Sequence, residues 1–315
     1  MTAPDPADMM AAIGQRRAAL IAQCPPAPPL ASPEERGAHP INVIELGTDG
    51  PAVLIVHGGV QGGLGGGPAT FDEQRRLAES GWRLRMVERP GFGRSASRGV
   101  DDMEADAEWI AEMLGEPADG GAHLVGHSWG GADALLAAAR RPEAVRSLTL
   151  IEPSLFPIVM SDPALRADPE MQAIGGRLGQ LMLRSGTPAD YAANFARNVL
   201  GPPEDEEVRA RVAALEADPE TAARVGCAVL QARMASPEAM RAATDAVRAA
   251  GVPVLVVSGG WTPFFDRVGE VVARFTGGRF EIVEAANHMV QQVAAESFNK
   301  LLERFMRDAD DRRAI

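Results

Sequence analysis

The chain has 315 residues, 46% hydrophobic and 23% charged, with 31 basic against 43 acidic side chains and a formal net charge of −12. Such a surface repels phosphate backbones and excludes nucleic-acid binding. Lys300 is the only lysine and has no glycine loop before it, which excludes Schiff-base and P-loop chemistry.

The length allows one large domain or two moderate ones. Cys24 and Cys227 lack metal-ligand spacing and a nearby histidine pattern, which predicts reduced structural thiols, no metal and a cytoplasmic protein. Asp5 and Asp8 stand where a secretory leader would carry positive charge, and no apolar run reaches the roughly 18 residues of a membrane span, so no membrane partner is expected.

Residues 1–40 are rich in Ala and Pro. A helical stretch around Asp8 to Ala22 precedes Pro25, Pro26, Pro28 and Pro29, which predicts a short helix on an extended linker. That helix is placed either to cover the entrance of a cap or to pair two copies in a homodimer. Strands are predicted at 41–46, 52–56, 84–88, 122–126, 147–152, 254–258 and 279–284, alternating with Ala-rich helical segments. Several are apolar at consecutive positions, as parallel strands covered on both faces are. The fold class is α/β: a mostly parallel sheet flanked by helices. Between Glu152 and Val252 helical periodicity fills about a hundred residues, at 171–184, 189–199, 206–217 and 221–235. Such an insertion between two strands belongs over the sheet's carboxyl edge, where open α/β sheets bind ligands. The predicted organisation is a core of 41–152 and 252–315 with a helical cap over 153–251.

Gly126-His127-Ser128-Trp129-Gly130 joins an apolar strand to the helix 132–140. Strand, Gly-x-Ser-x-Gly and helix together form a nucleophile elbow, whose glycines admit close backbone contacts and whose helix aims unpaired amides at the serine. His57-Gly58-Gly59 follows the strand 52–56, and an oxyanion needs at least two fixed donors. The backbone amides of Gly59 and Trp129 are assigned, with Val60 as the alternative to Gly59. His57 is read as a loop fastener. The glycine-rich run 61–68 is read as a mobile loop beside the oxyanion site.

These motifs, with Glu88-Arg89-Pro90-Gly91-Phe92-Gly93-Arg94-Ser95 and a late Asn287-His288, resemble the α/β-hydrolase family over residues 41–152 and 252–307. The resemblance implies Ser128 as nucleophile and His288 as base. Position agrees, since His288 follows the last predicted strand and precedes an amphipathic helix, on a loop at the carboxyl edge. The other histidines fit less well: His123 lies early in a strand, His127 inside the elbow and His39 in the linker.

In most of this family the orienting acid follows the strand corresponding to 254–258. Here Gly259-Gly260-Trp261-Thr262-Pro263 occupies that place, and a threonine does not stabilise an imidazolium as a carboxylate does. Two candidates keep the order serine, acid, histidine: Glu152 at the end of strand 147–152, and Asp266 four residues past Thr262. Glu152 is preferred, because a strand end is a rigid support and the longer side chain suits the reach. This placement resembles some haloalkane dehalogenases and the zearalenone-type lactonases. In the latter a stretch similar to residues 260–266 also follows the later strand.

The expected activity is hydrolysis of a hydrophobic carboxylic ester or lactone through an acyl-enzyme, with no cofactor. Epoxide hydrolases and haloalkane dehalogenases use aspartate where this chain has Ser128, and Tyr191 is the only tyrosine, whereas epoxide opening in this fold relies on cap tyrosines. Trp261, Phe156, Met160 and Met289 are the expected pocket residues, with Leu155, Phe264 and Phe265 beside them; a mostly apolar lining suits an ester or macrocyclic lactone. Carbon–carbon bond hydrolysis or acyl transfer on the same triad, and a non-catalytic small-molecule binder lacking the usual aspartate, are the alternatives.

Overall fold

A computed structural model of the chain describes residues 6–62, 66–116 and 120–313, without the side chains of 6–10 and 160. Seven strands form one sheet: β1 (Val43–Leu46), β2 (Ala52–Val56), β3 (Arg83–Val87), β4 (Ala122–His127), β5 (Val145–Ile151), β6 (Val254–Ser258) and β7 (Arg279–Ile282). The order is β1-β3-β2-β4-β5-β6-β7, with only the β1–β3 pair antiparallel. All seven predicted strands are present, within two residues at each boundary.

The helices are α1 (Pro6–Ile21), α2 (Pro33–Ala38), α3 (Met103–Met113), α4 (Ser128–Arg140), α5 (Pro163–Ala167), α6 (Pro169–Arg184), α7 (Pro188–Val199), α8 (Glu206–Ala217), α9 (Pro219–Gln231), α10 (Pro237–Ala249), α11 (Pro263–Thr276), α12 (Val290–Val293) and α13 (Ala295–Arg313). Helix α2 lies inside the expected linker. Its signal is the capping box, in which Ser32 accepts from the Glu35 amide while Glu35 accepts from the Ser32 amide.

Strands β2, β4 and β6 are buried at every position because both faces are covered. Leu54, Val56, Leu124 and Val256 pack with α3, α4, α10 and α11, whereas Val53, Ile55, Val125 and Val257 pack with α13 and the 3₁₀ segment Pro68–Ser80. The edge strands β1 and β7 are less buried. The chain from β2 steps outward to β3 and then back to β4. This reversal opens a crevice at the carboxyl ends of β2 and β4, the usual ligand position of a doubly wound sheet.

Helices α5–α10 lie between β5 and β6 in sequence. Helices α7, α8 and α9 bury their own small core of Ala192, Ala196, Val208, Leu215 and Val225, while α10 packs on α4 and α11. Helix α1 rests on α6 and α9. Arg16 donates to the Ser185 carbonyl at 2.7 Å, Arg17 to that of Leu230 at 2.7 Å, and Leu20 packs against Met182 and Leu230.

The expectation of two free thiols is overturned. Cys24, just past α1, forms a disulfide with Cys227 of α9, with Cα atoms 5.5 Å apart and a separation of 203 positions along the chain. Spacing along the chain carries no trace of so distant a pairing. The cytoplasmic assignment drew on free thiols, and the bridge removes that ground. Among the described residues no helix is long and apolar enough to cross a membrane. Closing so long a loop restrains the unfolded chain, so Cys24→Ala/Cys227→Ala should unfold at lower denaturant, losing about 2–4 kcal/mol. Reducing the native protein should produce the same shift in equilibrium unfolding.

Candidate active site

Five adjacent strands of the sheet deliver the candidate residues from their carboxyl ends: β2 brings the loop at Gly59, β4 brings Ser128, β5 brings Glu152, β6 brings Gly259, and β7 leads to His288. Ser128 and Glu152 are the only non-glycine residues with positive φ among those described, at 53° and 39°. Left-handed backbone at such residues costs about 1–3 kcal/mol each and persists where the surroundings over-determine it. Both glycines of the elbow are sterically required. A Cβ on Gly130 would run into the His57 carbonyl oxygen, and one on Gly126 into the Gly130 oxygen and, at 2.8 Å, the Ala134 methyl. The sharp turn lifts Ser128 above the sheet and opens α4, in whose first turn the Trp129 amide is one of the unpaired N–H groups of a helix start.

His288 Nδ1 and Glu152 Oε2 are 2.6 Å apart, both side chains buried. Asp266 is not on the imidazole. Its Oδ1 accepts from Ser258 Oγ at 2.5 Å in the first turn of α11, and Thr262 caps that helix through the Phe264 amide. The other donors to Glu152 come from the segment that replaces the usual aspartate: the Gly259 amide at 2.8 Å from Oε1, and Trp261 Nε1 at 2.9 Å from Oε1 and 3.2 Å from Oε2. Burial pushes the Glu152 carboxyl well above the usual range, against the lowering effect of these donors. Burial likewise lowers the His288 imidazole, which is therefore neutral, as a proton acceptor must be.

The loop carrying His288 is held on several sides. Phe265 stacks on the imidazole at 4.5 Å between centroids, and His127 lies 4.6 Å away with Nε2 at 3.0 Å from the His288 carbonyl. The helical insertion reaches it too: the His288 amide donates to the Leu200 carbonyl at 3.0 Å, and Asn287 Nδ2 to Asp205 at 3.0 Å. Ser128 Oγ makes no hydrogen bond to His288 and faces Ser154 Oγ at 3.4 Å. Ser154, Leu200 and Asp205 have no sequence signal of their own, because their nearness to the site depends on how distant segments pack.

Among the described residues the amides of Gly59 and Trp129, expected as oxyanion donors, have no hydrogen-bond partner. The Gly59 loop is anchored by Arg89, which is fully buried. It donates to the Gly59 carbonyl at 2.7 Å and pairs with Asp106 at 2.7 Å, Asp101 at 3.0 Å and Asp133 at 3.3 Å, while Asp101 also accepts from the Gln61 amide at 2.8 Å. Burial works against the Arg89 charge, but the three carboxylates hold its pKa above the ordinary value. The Glu88–Ser95 motif thus supplies a buried cation that ties down the β2 loop. His57 fastens the same loop, its Nδ1 2.8 Å from the Gly58 oxygen and its Nε2 accepting from the Arg89 amide at 3.1 Å. Part of the glycine-rich run expected to be mobile, residues 63–65, lies outside the described residues.

Of the expected pocket residues, Trp261 turns its N–H onto Glu152, Phe156 is exposed and lies 6.0 Å from the Phe264 ring, and Met289 is buried at the start of α12. The Met160 side chain lies outside the described residues. No group of three or more His, Cys, Asp or Glu side chains suited to a metal occurs among the described residues.

A family model described as "Alpha/beta hydrolase family" matches residues 53–300. The chain belongs to the alpha/beta hydrolase family. Among its curated relatives is a pimeloyl-[acyl-carrier protein] methyl ester esterase of Neisseria meningitidis serogroup A, 28% identical over 271 residues, spanning 81% of this chain and 76% of that one. A 2-hydroxy-6-oxo-6-phenylhexa-2,4-dienoate hydrolase of Burkholderia cepacia is 30% identical over 166 residues, 47% of this chain and 58% of that one. The enol-lactonase of Burkholderia xenovorans shares the fold with a TM-score of 0.57 at 17% identity, covering 84% of this chain and 96% of that one. The two curated relatives support a hydrolase and an enzyme.

Burial holds the His57 pKa down to about 3, with the Arg89 charge adding to the effect. In the unfolded chain the ring takes up its proton near pH 6.5, so folding stability falls as pH drops from 6.5 towards 3, by about 1.4 kcal/mol per pH unit for each such histidine. His57→Asn, which removes the titrating ring, should make the decline of unfolding free energy between pH 6 and 4 shallower by about that amount. Denaturant titrations across this range would measure the slope.

Proposed function

We propose that this hydrolase cleaves a hydrophobic carboxylic ester or lactone by way of an acyl-enzyme on Ser128. The observation that carries the reading is the buried 2.6 Å contact between Glu152 and His288 beside a serine held at φ 53°. Ser128 Oγ attacks the carbonyl carbon while His288 takes its proton, and the imidazolium that forms is stabilised by the Glu152 carboxylate. The carbonyl oxygen becomes an oxyanion bound by the Trp129 amide and by that of Gly59 or Val60. As the tetrahedral intermediate collapses, His288 returns the proton to the leaving alkoxide and the acyl group stays on Ser128. Water, deprotonated by His288, then attacks the ester carbon, and the second collapse releases the acid and restores the Ser128 hydroxyl. In a lactone the alcohol and acid products are one molecule.

The helical insertion 153–251 acts as the cap, and the contacts of its α7–α8 turn with the His288 loop through Leu200 and Asp205 support that role. Phe156, Phe264, Phe265 and Met289 supply an apolar wall suited to a hydrophobic acyl or alcohol group. The partial similarity to a 2-hydroxy-6-oxo-6-phenylhexa-2,4-dienoate hydrolase favours carbon–carbon bond hydrolysis of a diketone as the second reading. A panel of p-nitrophenyl esters, lactones and diketones separates the two.

Ser128→Ala should abolish labelling by a fluorophosphonate and lower kcat by at least about 10⁴-fold. Glu152→Gln, which leaves the imidazole without its anion, should lower kcat by about 10³–10⁴-fold, whereas Asp266→Asn should leave turnover within a few-fold. A fully active Glu152→Gln enzyme would overturn the assignment of the acid.

A further inference from the structure

We propose that Trp261 is a positioning residue: its indole N–H, together with the Gly259 amide, holds the Glu152 carboxylate turned so that one oxygen meets His288. This inference rests on the reading of Glu152 and His288 as an orienting pair. The division of labour between the two carboxylate oxygens carries it. Oε1 takes Gly259 N at 2.8 Å and the shorter contact of Trp261 Nε1 at 2.9 Å, while Oε2 meets the imidazole at 2.6 Å and the indole only at 3.2 Å. Ser258 adds little, because its single hydroxyl proton goes to Asp266 at 2.5 Å and its oxygen stays 3.3 Å from Oε1. Of the two remaining donors Gly259 acts through the backbone, so Trp261 is the side chain that a substitution can test.

The surroundings leave the indole little freedom. A Cβ on Gly259 would sit 2.9 Å from Trp261 Cδ1 and 3.2 Å from Glu152 Oε1, so glycine there lets indole and carboxylate close over the same backbone. The Trp261 ring also packs 5.8 Å from Phe265, which in turn stacks on the His288 ring. An indole N–H donates and never accepts or titrates, so it favours the carboxylate anion at every working pH. In the family's usual arrangement the loop after this strand carries the acid; here the loop carries donors to an acid on the neighbouring strand.

Trp261→Phe keeps an aromatic ring and removes the donor, and replacement of Trp261 by benzothienylalanine removes the N–H in a near-isosteric ring should the phenyl variant fold poorly. Losing a donor to the anion destabilises the unprotonated pair, so its apparent pKa must rise. The acid limb of kcat/KM should therefore move up by about one pH unit in both variants, with kcat lower by about three- to tenfold and KM within about twofold. The other ionisable groups facing the pair are His127 beside the imidazole, Asp266 behind Ser258, Asp205 on Asn287, and Glu207 and Arg211 flanking Asn287 and Met289. All are unchanged in the variants, which assigns the shift to the indole. The second readout needs no substrate: the His288 ring titration followed by NMR in the unliganded chain, its resonance assigned with His288→Gln, should rise in parallel. A raised KM with unmoved pH limb and ring titration would make Trp261 a pocket wall only and overturn the proposal. If no substrate of the panel is turned over in a Ser128-dependent way, the proposed function fails, and an unmoved ring titration would separately overturn the role of Trp261.

Discussion

A carboxylate with no solvent exposure is the constraint around which this site is organised. Burying Glu152 removes its hydration, which is tolerated only where fixed donors replace water. Here those donors are the Gly259 amide, the Trp261 indole and the His288 imidazole. The positive φ of Glu152 is part of the same arrangement. It turns the side chain off the end of β5 towards the β6 and β7 loops instead of letting the strand run on. The strand order makes that reach short, since β5, β6 and β7 are consecutive neighbours.

A second buried charge works on the other side of the crevice. Arg89 lies among three aspartates and the Gly59 carbonyl, so the loop after β2 hangs from an ion cluster. Removing one member would leave uncompensated charge in the interior, which is costlier than the net worth of the pair. Asp133 joins this cluster from α4, the helix that Ser128 opens, so the element that carries Ser128 and the loop after β2 are braced by the same guanidinium. The packing of Gly130 against the His57 carbonyl brings the same two segments together through backbone alone.

The parts of the fold legible in the sequence are those governed by local pattern. Consecutive apolar residues at 52–56 and 254–257 marked strands buried on both faces, and glycine spacing around Ser128 marked a sharp turn whose close contacts the structure contains. Helix α2 was missed although Ser32 and Glu35 carry a capping box, because four prolines just before it read as an extended linker. Trp261 was legible only as an aromatic near the site. Whether such a ring faces a substrate or a carboxylate depends on where β5 ends relative to β6, a relation that the Trp261 segment does not encode.

Sequence by itself determined the family, the order of the strands along the chain, the elbow at Ser128 and the candidacy of His288, since each depends on residues within a few positions of one another. Tertiary structure decided which carboxylate meets the imidazole and what becomes of Cys24 and Cys227. Glu152 is 136 residues from His288, and the cysteines are 203 apart. Over such separations contact is set by strand order and helix packing, and no short-range pattern records it.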